Sequence, residues 1–160
     1  MEVPRLLARI SALLRAREAP ATLIRPAKIE HLMELVAFAV EAARAAGAGE
    51  EAAHAVHLAV EEVCLNVMTH GYRGAAGPVR VAVERREDAL EIHIADEAPL
   101  FDPAHAPRPR LDVPLEERQP GGLGWHLVRE VMDEVRHEPA HPVGNVVTLV
   151  KRLAQRPAAT

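Results

Sequence analysis

Aromatic residues are nearly absent: one tryptophan, one tyrosine and two phenylalanines in 160 residues. Base-stacking platforms for single-stranded nucleic acid need more rings than that. A basic excess is missing too, since 19 lysines and arginines face 23 acidic residues for a formal charge of −4. No cationic stripe is therefore available for a phosphate backbone, and no nucleic acid is expected as a direct partner. Cys64 is the only cysteine, which excludes an internal disulfide and fits a reducing, cytoplasmic setting. Ser11 is the only serine. No serine or cysteine stands with histidine and aspartate in a nucleophile motif, which argues against covalent hydrolase chemistry. No apolar run approaches the roughly 20 residues that span a bilayer, so no membrane segment is expected.

What is present has the size of one domain. Residues 1–20 are expected to be an extension whose leucines and arginines, from Pro4 to Arg17, suit a short amphipathic helix. Such a helix could cover the domain, contact a second copy, hang loosely or touch a membrane surface. Residues 21–153 carry the periodic segments, and 154–160 are expected to be a frayed tail. Ala21 to Arg25 suits an edge strand closed by Pro26. Ile29, Leu32, Met33, Val36, Phe38 and Val40 recur with largely helical spacing up to Ala46, and Gly47 and Gly49 end that helix. A second helix is expected from Glu50 to His70, with Val56, Val60, Val63 and Val67 on its core side. The period then changes to two. Val79, Val81 and Val83, then Leu90, Ile92 and Ile94, alternate with polar neighbours around a turn within Arg85 to Asp88. Pro99 to Pro120 holds six of the thirteen prolines and forms a long loop. Glu134 to Glu138 and Asn145 to Arg152 suit two closing strands. The order predicts an α+β, two-layer sandwich with helices on one face of a mixed or antiparallel sheet.

The glycine cluster Gly121-Gly122-Leu123-Gly124 opens into an apolar stripe at Trp125, Val128, Val131, Met132 and Val135. A helix that starts there offers free N–H groups and the positive end of its dipole to an anion, with no side chains in the way. The same glycines also fit a loop that needed only to turn into a helix. No Lys-Ser/Thr pair follows, so a Walker P-loop is excluded.

Glu62, Asn66 and His70 are spaced by four and share one helix face, away from the valines. An amide oxygen at Asn66 can join the shell of Mg²⁺ without adding charge, leaving Glu62 to orient or deprotonate a nucleophile. A plain solvated face has the same pattern. Asp96 ends a strand; an ionised carboxylate there accepts from the amino group of adenine and repels the carbonyl oxygen of guanine. It fits equally a turn-initiating aspartate before Pro99. His54, His57 and Glu61 have metal-ligand spacing, although nine histidines make such spacing common.

In order, Glu62-x-x-x-Asn66-x-x-x-His70-Gly71-Tyr72, Asp96-Glu97-Ala98-Pro99-Leu100-Phe101-Asp102-Pro103 and Gly121-Gly122-Leu123-Gly124 resemble the N, first-glycine and second-glycine boxes of the Bergerat-fold, histidine kinase-like ATPases. The His-Gly-Tyr-Arg-Gly after the N box and the Met-Asp-Glu-Val-Arg near the end look like the anti-sigma factor serine kinases of bacterial partner-switching systems. The resemblance covers about Leu23 to Leu153. It implies ATP and Mg²⁺ between helices and sheet, Mg²⁺ on Asn66, Glu62 as the base, and adenine on Asp96. It implies phosphates on the amides from Gly121 to Gly124, with His70, Ala98, Phe101 and Leu123 as further nucleotide contacts and Arg118 of the proline-rich lid near the terminal phosphate. The implied partners are an anti-sigma-factor antagonist, phosphorylated on serine or threonine, and a sigma factor that competes with it; the implied assembly is a homodimer. Ala98 departs from the family's glycine, and its Cβ is expected to crowd adenine or to disfavour a positive φ by about 1–2 kcal/mol. The rival reading is a partner-binding module without catalysis, with or without nucleotide. A third has a sensor protein in place of the sigma factor.

Overall fold

The computed structural model describes residues 5–9, 19–101, 112, 114 and 122–154. Five antiparallel strands form one sheet in the order β1-β2-β3-β5-β4, where β1 is Ala21–Pro26, β2 Pro78–Arg86, β3 Ala89–Asp96, β4 Glu134–Pro139 and β5 Asn145–Arg152. Of the two sheet types the sequence allowed, the wholly antiparallel one is realised. The period-two residues face one way: Val79, Val81, Val83, Leu90, Ile92, Ile94, Val147 and Leu149 are buried in the core. The opposite face carries Arg80, Glu84, Glu91, His93 and Arg136.

Three helices lie on the apolar face: α1 (Leu32–Ala45), α2 (Glu50–Asn66) and α3 (Gly122–Val131). On α1 the buried residues are Leu32, Leu35, Val36, Ala39 and Ala43, at spacings of three and four. Ile29 and Met33, expected on that stripe, are 59% and 53% exposed, because Ile29 lies in a short 3-10 turn before the helix and Met33 on its outer side. Gly47 ends α1 as expected, whereas Gly49 is the N-cap of α2. Val56, Val60 and Val63 of α2, and Val67 directly after it, are all buried. The helix does not run to His70 in one geometry, however: Val67–Gly71 is a π-turn. His70 lies within this turn and is exposed.

Trp125, Val128 and Met132 are buried under α3, but Val135, expected on the same stripe, belongs to β4. Helical and strand periods overlap over so short a distance. The hairpin between β2 and β3 turns on Glu87 and Asp88, with Glu87 at φ 54°. Residues 5–9 are helical, with Leu6 and Leu7 each 57% exposed. The rest of the N-terminal amphipathic stretch, nearly all of the proline-rich loop and the end of the tail lie outside the described residues. No helix among the described residues is long and apolar enough to cross a membrane.

Candidate functional site

Three pieces of chain meet where the end of α2 faces the start of α3 and the end of β3. The helix pair is packed close. A Cβ on Gly124 would collide with Glu62 Oε2 and stand 3.8 Å from Asn66 Nδ2. A residue without a side chain leaves room for the first turn of α3 to come this near the carboxylate and the amide as they stand. Residues 62, 66 and 124, far apart in sequence, thus share one small volume beside the N-terminal turn of α3.

The Asn66 Nδ2 atom is buried and has no hydrogen-bond partner. A buried amide nitrogen left unsatisfied costs about 1–3 kcal/mol, a cost that a bound ligand accepting from it recovers. A half-turn about the side-chain amide exchanges its nitrogen and oxygen, so Asn66 suits either an anionic oxygen or a hard cation. The residues present therefore fit a nucleotide phosphate with Mg²⁺. Burial raises the Glu62 carboxyl above the usual glutamate range, and the neighbouring Glu61 charge adds to this. A carboxylate tuned upward is a better proton acceptor near neutral pH.

At the sheet end, Asp96 continues the inward register of Leu90, Ile92 and Ile94, which places its carboxylate on the helix side. It is 7% exposed. Its Oδ1 accepts from the Ala98 N–H at 2.9 Å and from Asn145 Nδ2 at 3.0 Å. Asn145 was missed by the sequence reading. It starts β5 directly opposite Asp96 in the ladder, and its Nδ2 also lies 3.1 Å from the Pro99 carbonyl, while its Oδ1 accepts from the Phe101 N–H at 2.9 Å. His137 Nε2, 2.9 Å from the same oxygen, completes the cluster. An asparagine at a strand start looks like turn chemistry in sequence; only the pairing register shows what it holds.

Ala98 is 1% exposed. Among the described residues the non-glycine positions with positive φ are Arg73 and Glu87, so the expected strain at Ala98 is absent. Its methyl group faces Gly71, where an added Cβ would come within 3.3 Å. Gly71→Ala is accordingly expected to crowd the Ala98 methyl group, and Ala98→Gly in the same chain to relieve that crowding. Denaturant unfolding of the two single variants and the double variant checks this; strictly additive effects would contradict the contact.

Phe101 stacks against Trp125 with centroids 6.1 Å apart and an interplanar angle of 22°. Gly122 opens α3 and Leu123 follows it, while Arg118 and Gly121 lie outside the described residues. The suggested trio His54, His57 and Glu61 does not converge: His57 pairs with Glu61 at 3.3 Å and His54 is exposed. Among the described residues the acid and histidine atoms that do converge are those of Glu84, Glu91 and His93 on the open sheet face, where Arg86 and Arg136 already pair with the carboxylates.

The sequence matches the histidine kinase-like ATPase domain over residues 25–151. A serine-protein kinase RsbW of Bacillus cereus is 27% identical over 130 residues, covering 79% of this chain and 80% of that protein. One from Bacillus thuringiensis subsp. konkukian matches to the same extent. The crystal structure of the RsbU and RsbW domains of Rv1364c from Mycobacterium tuberculosis has a TM-score of 0.61 at 21% identity, covering 88% of this chain and 34% of that one. This chain thus spans about a third of that protein, and the likeness is one of fold. The family match runs from within β1 to within β5 and takes in α2, β3 and α3, which carry the residues described above. The chain belongs to the histidine kinase-like ATPase family, in which it is similar to the RsbW serine-protein kinases.

Proposed function

We propose that this protein is an ATP-dependent serine/threonine kinase that regulates transcription by partner switching. In this reading it phosphorylates an anti-sigma-factor antagonist and holds a sigma factor when the antagonist is phosphorylated. The observation that carries it is the meeting of Glu62, Asn66 and Gly124 at the N-terminus of α3, with the unpartnered Asn66 amide nitrogen in their midst. Asn66 would hold Mg²⁺, and the amides from Gly121 to Gly124 the phosphates. Bound Mg²⁺ supplies neutralisation of phosphate charge. Asp96 accepts the adenine amino group; Glu62 takes the proton of the acceptor hydroxyl. His70, Ala98, Phe101, Leu123 and Arg118 are further nucleotide contacts, and the working form is a homodimer in the cytoplasm.

Asp96→Asn tests the base assignment. Its oxygen can still accept from Ala98 and Asn145, so the fold is expected to persist, while its amide now points a donor at a donor. ATP affinity is expected to fall at least about tenfold, the scale of a charged hydrogen bond, and the preference for ATP over GTP to shrink. Equal ATP binding by the variant would contradict the assignment. Capture of a sigma factor from cell extract by the pure protein, with release on adding unphosphorylated antagonist, tests the partner assignment; capture of none would contradict it.

A further inference from the structure

The π-turn at the end of α2 is followed by Tyr72, the only tyrosine in the chain and 7% exposed. Its hydroxyl donates to the Pro78 carbonyl at 2.7 Å and accepts from the Glu97 N–H at 2.7 Å. Its ring lies flush on Gly77, where an added Cβ would collide with Cε1 and Cζ. One residue back, Gly71 leaves the space that the Ala98 methyl group faces. Residues 71–72 therefore mate with residues 97–98 by one hydrogen bond and by the space that Gly71 leaves for Ala98.

That pairing is a direct link between two parts of the site that lie on different elements. Asn66 and Glu62 lie on α2, just before the π-turn. Asp96 lies on β3, just before Glu97, and Asn145 fastens it to the sheet. We propose that Tyr72 is a positioning residue that sets the spacing between the phosphate and metal end of the site and its adenine end. The inference rests on the nucleotide reading given above. Burial, with the Asp96 and Glu97 charges nearby, raises the Tyr72 phenol above its usual range, against the pull of the Glu97 N–H. The hydroxyl thus keeps the proton that it donates to Pro78 while accepting from Glu97.

A nucleotide gains from both ends only when they stand at the right separation. Tyr72→Phe removes the link and leaves each end formed. Calorimetry with ADP, with and without Mg²⁺, separates this role from a merely structural one. The factor by which Mg²⁺ tightens ADP is expected to fall about three- to tenfold in the variant, the scale of one or two neutral hydrogen bonds, while metal-free ADP binds as in the wild type. An unchanged factor overturns the inference, as does a parallel loss of both affinities with a lowered melting temperature. Failure of the wild type to bind ADP at all would overturn the nucleotide reading itself, and the inference with it. A second measurement needs no variant. The Glu97 N–H lies past the end of β3 on an exposed residue, yet it is expected to exchange slowly with solvent because Tyr72 holds it; exchange at the unprotected rate overturns the proposal.

Discussion

Glu62→Gln is expected to lower phosphotransfer by about 10²–10⁴-fold, the usual worth of a positioned general base, with MgATP affinity nearly unchanged. The substitution keeps the shape and reach of the side chain while removing its charge and its capacity to take a proton. Because Asn66, Gly124 and Asp96 are untouched, binding should persist. The pH dependence carries a second sign. Desolvation, aided by Glu61, raises the Glu62 carboxyl, so the acidic limb of the wild-type rate profile should lie above the usual glutamate range and vanish in the variant. For stability the sign is reversed. A carboxyl raised on folding favours the folded state below its unfolded pKa, and that advantage is lost as the pH rises through the folded pKa. At neutral pH the ionised Glu62 is thus a burden, and the glutamine variant should melt no lower than the wild type. Full phosphotransfer activity in the variant would dismiss Glu62 as the base.

Gly144→Ala is expected to have the largest effect on stability, about 2–5 kcal/mol, combining backbone strain with overpacking. Gly144 sits in the turn before β5 at φ 108°. A Cβ there would collide with the Asp96 carbonyl oxygen and come within 2.9 Å of the Asp96 carbonyl carbon and the Glu97 Cα. These are backbone atoms at the end of β3 and cannot swing aside as a side chain can. Their displacement would break the pairing of Asp96 with Asn145 and the hydrogen bond between their side chains, so nucleotide binding should be lost together with stability. Gly74→Ala is the control. Gly74 also has positive φ, 85°, but a Cβ there meets nothing within 4 Å, so only the conformational part of about 1–2 kcal/mol applies. Denaturant unfolding of the two variants separates space from conformation; equal losses would mean that the contact with Asp96 does not matter.

Much of the fold was legible in the chain because burial follows period. The alternation at Val79, Val81 and Val83, and at Leu90, Ile92 and Ile94, marked two strands with their inward faces, and the valine stripe of α2 marked its core side. Extending that register by one step puts Asp96 on the inner face. Where two periods overlap, the reading was double, as at Val135, which fell both on the helical stripe and in the Glu134 to Glu138 strand; the strand is the one realised. Backbone geometry was illegible where composition does not dictate it: nothing in Val67–Gly71 announces a π-turn, and the φ of Ala98 could not be read from its identity. The site was legible as three short motifs in order, but their closeness was not. That Gly124 rests on Glu62, that Asn145 holds Asp96 and that Tyr72 reaches Glu97 are consequences of strand order and helix packing over long separations.

The central claim is a nucleotide site built from α2, β3 and the first turn of α3, and calorimetric titration of the pure protein with MgATP, with MgGTP alongside, tests it most directly. Saturable one-site binding of ATP, at least about tenfold tighter than GTP as a single charged hydrogen bond to the base would give, is the expected result. Binding of neither nucleotide, or of both equally, would contradict it.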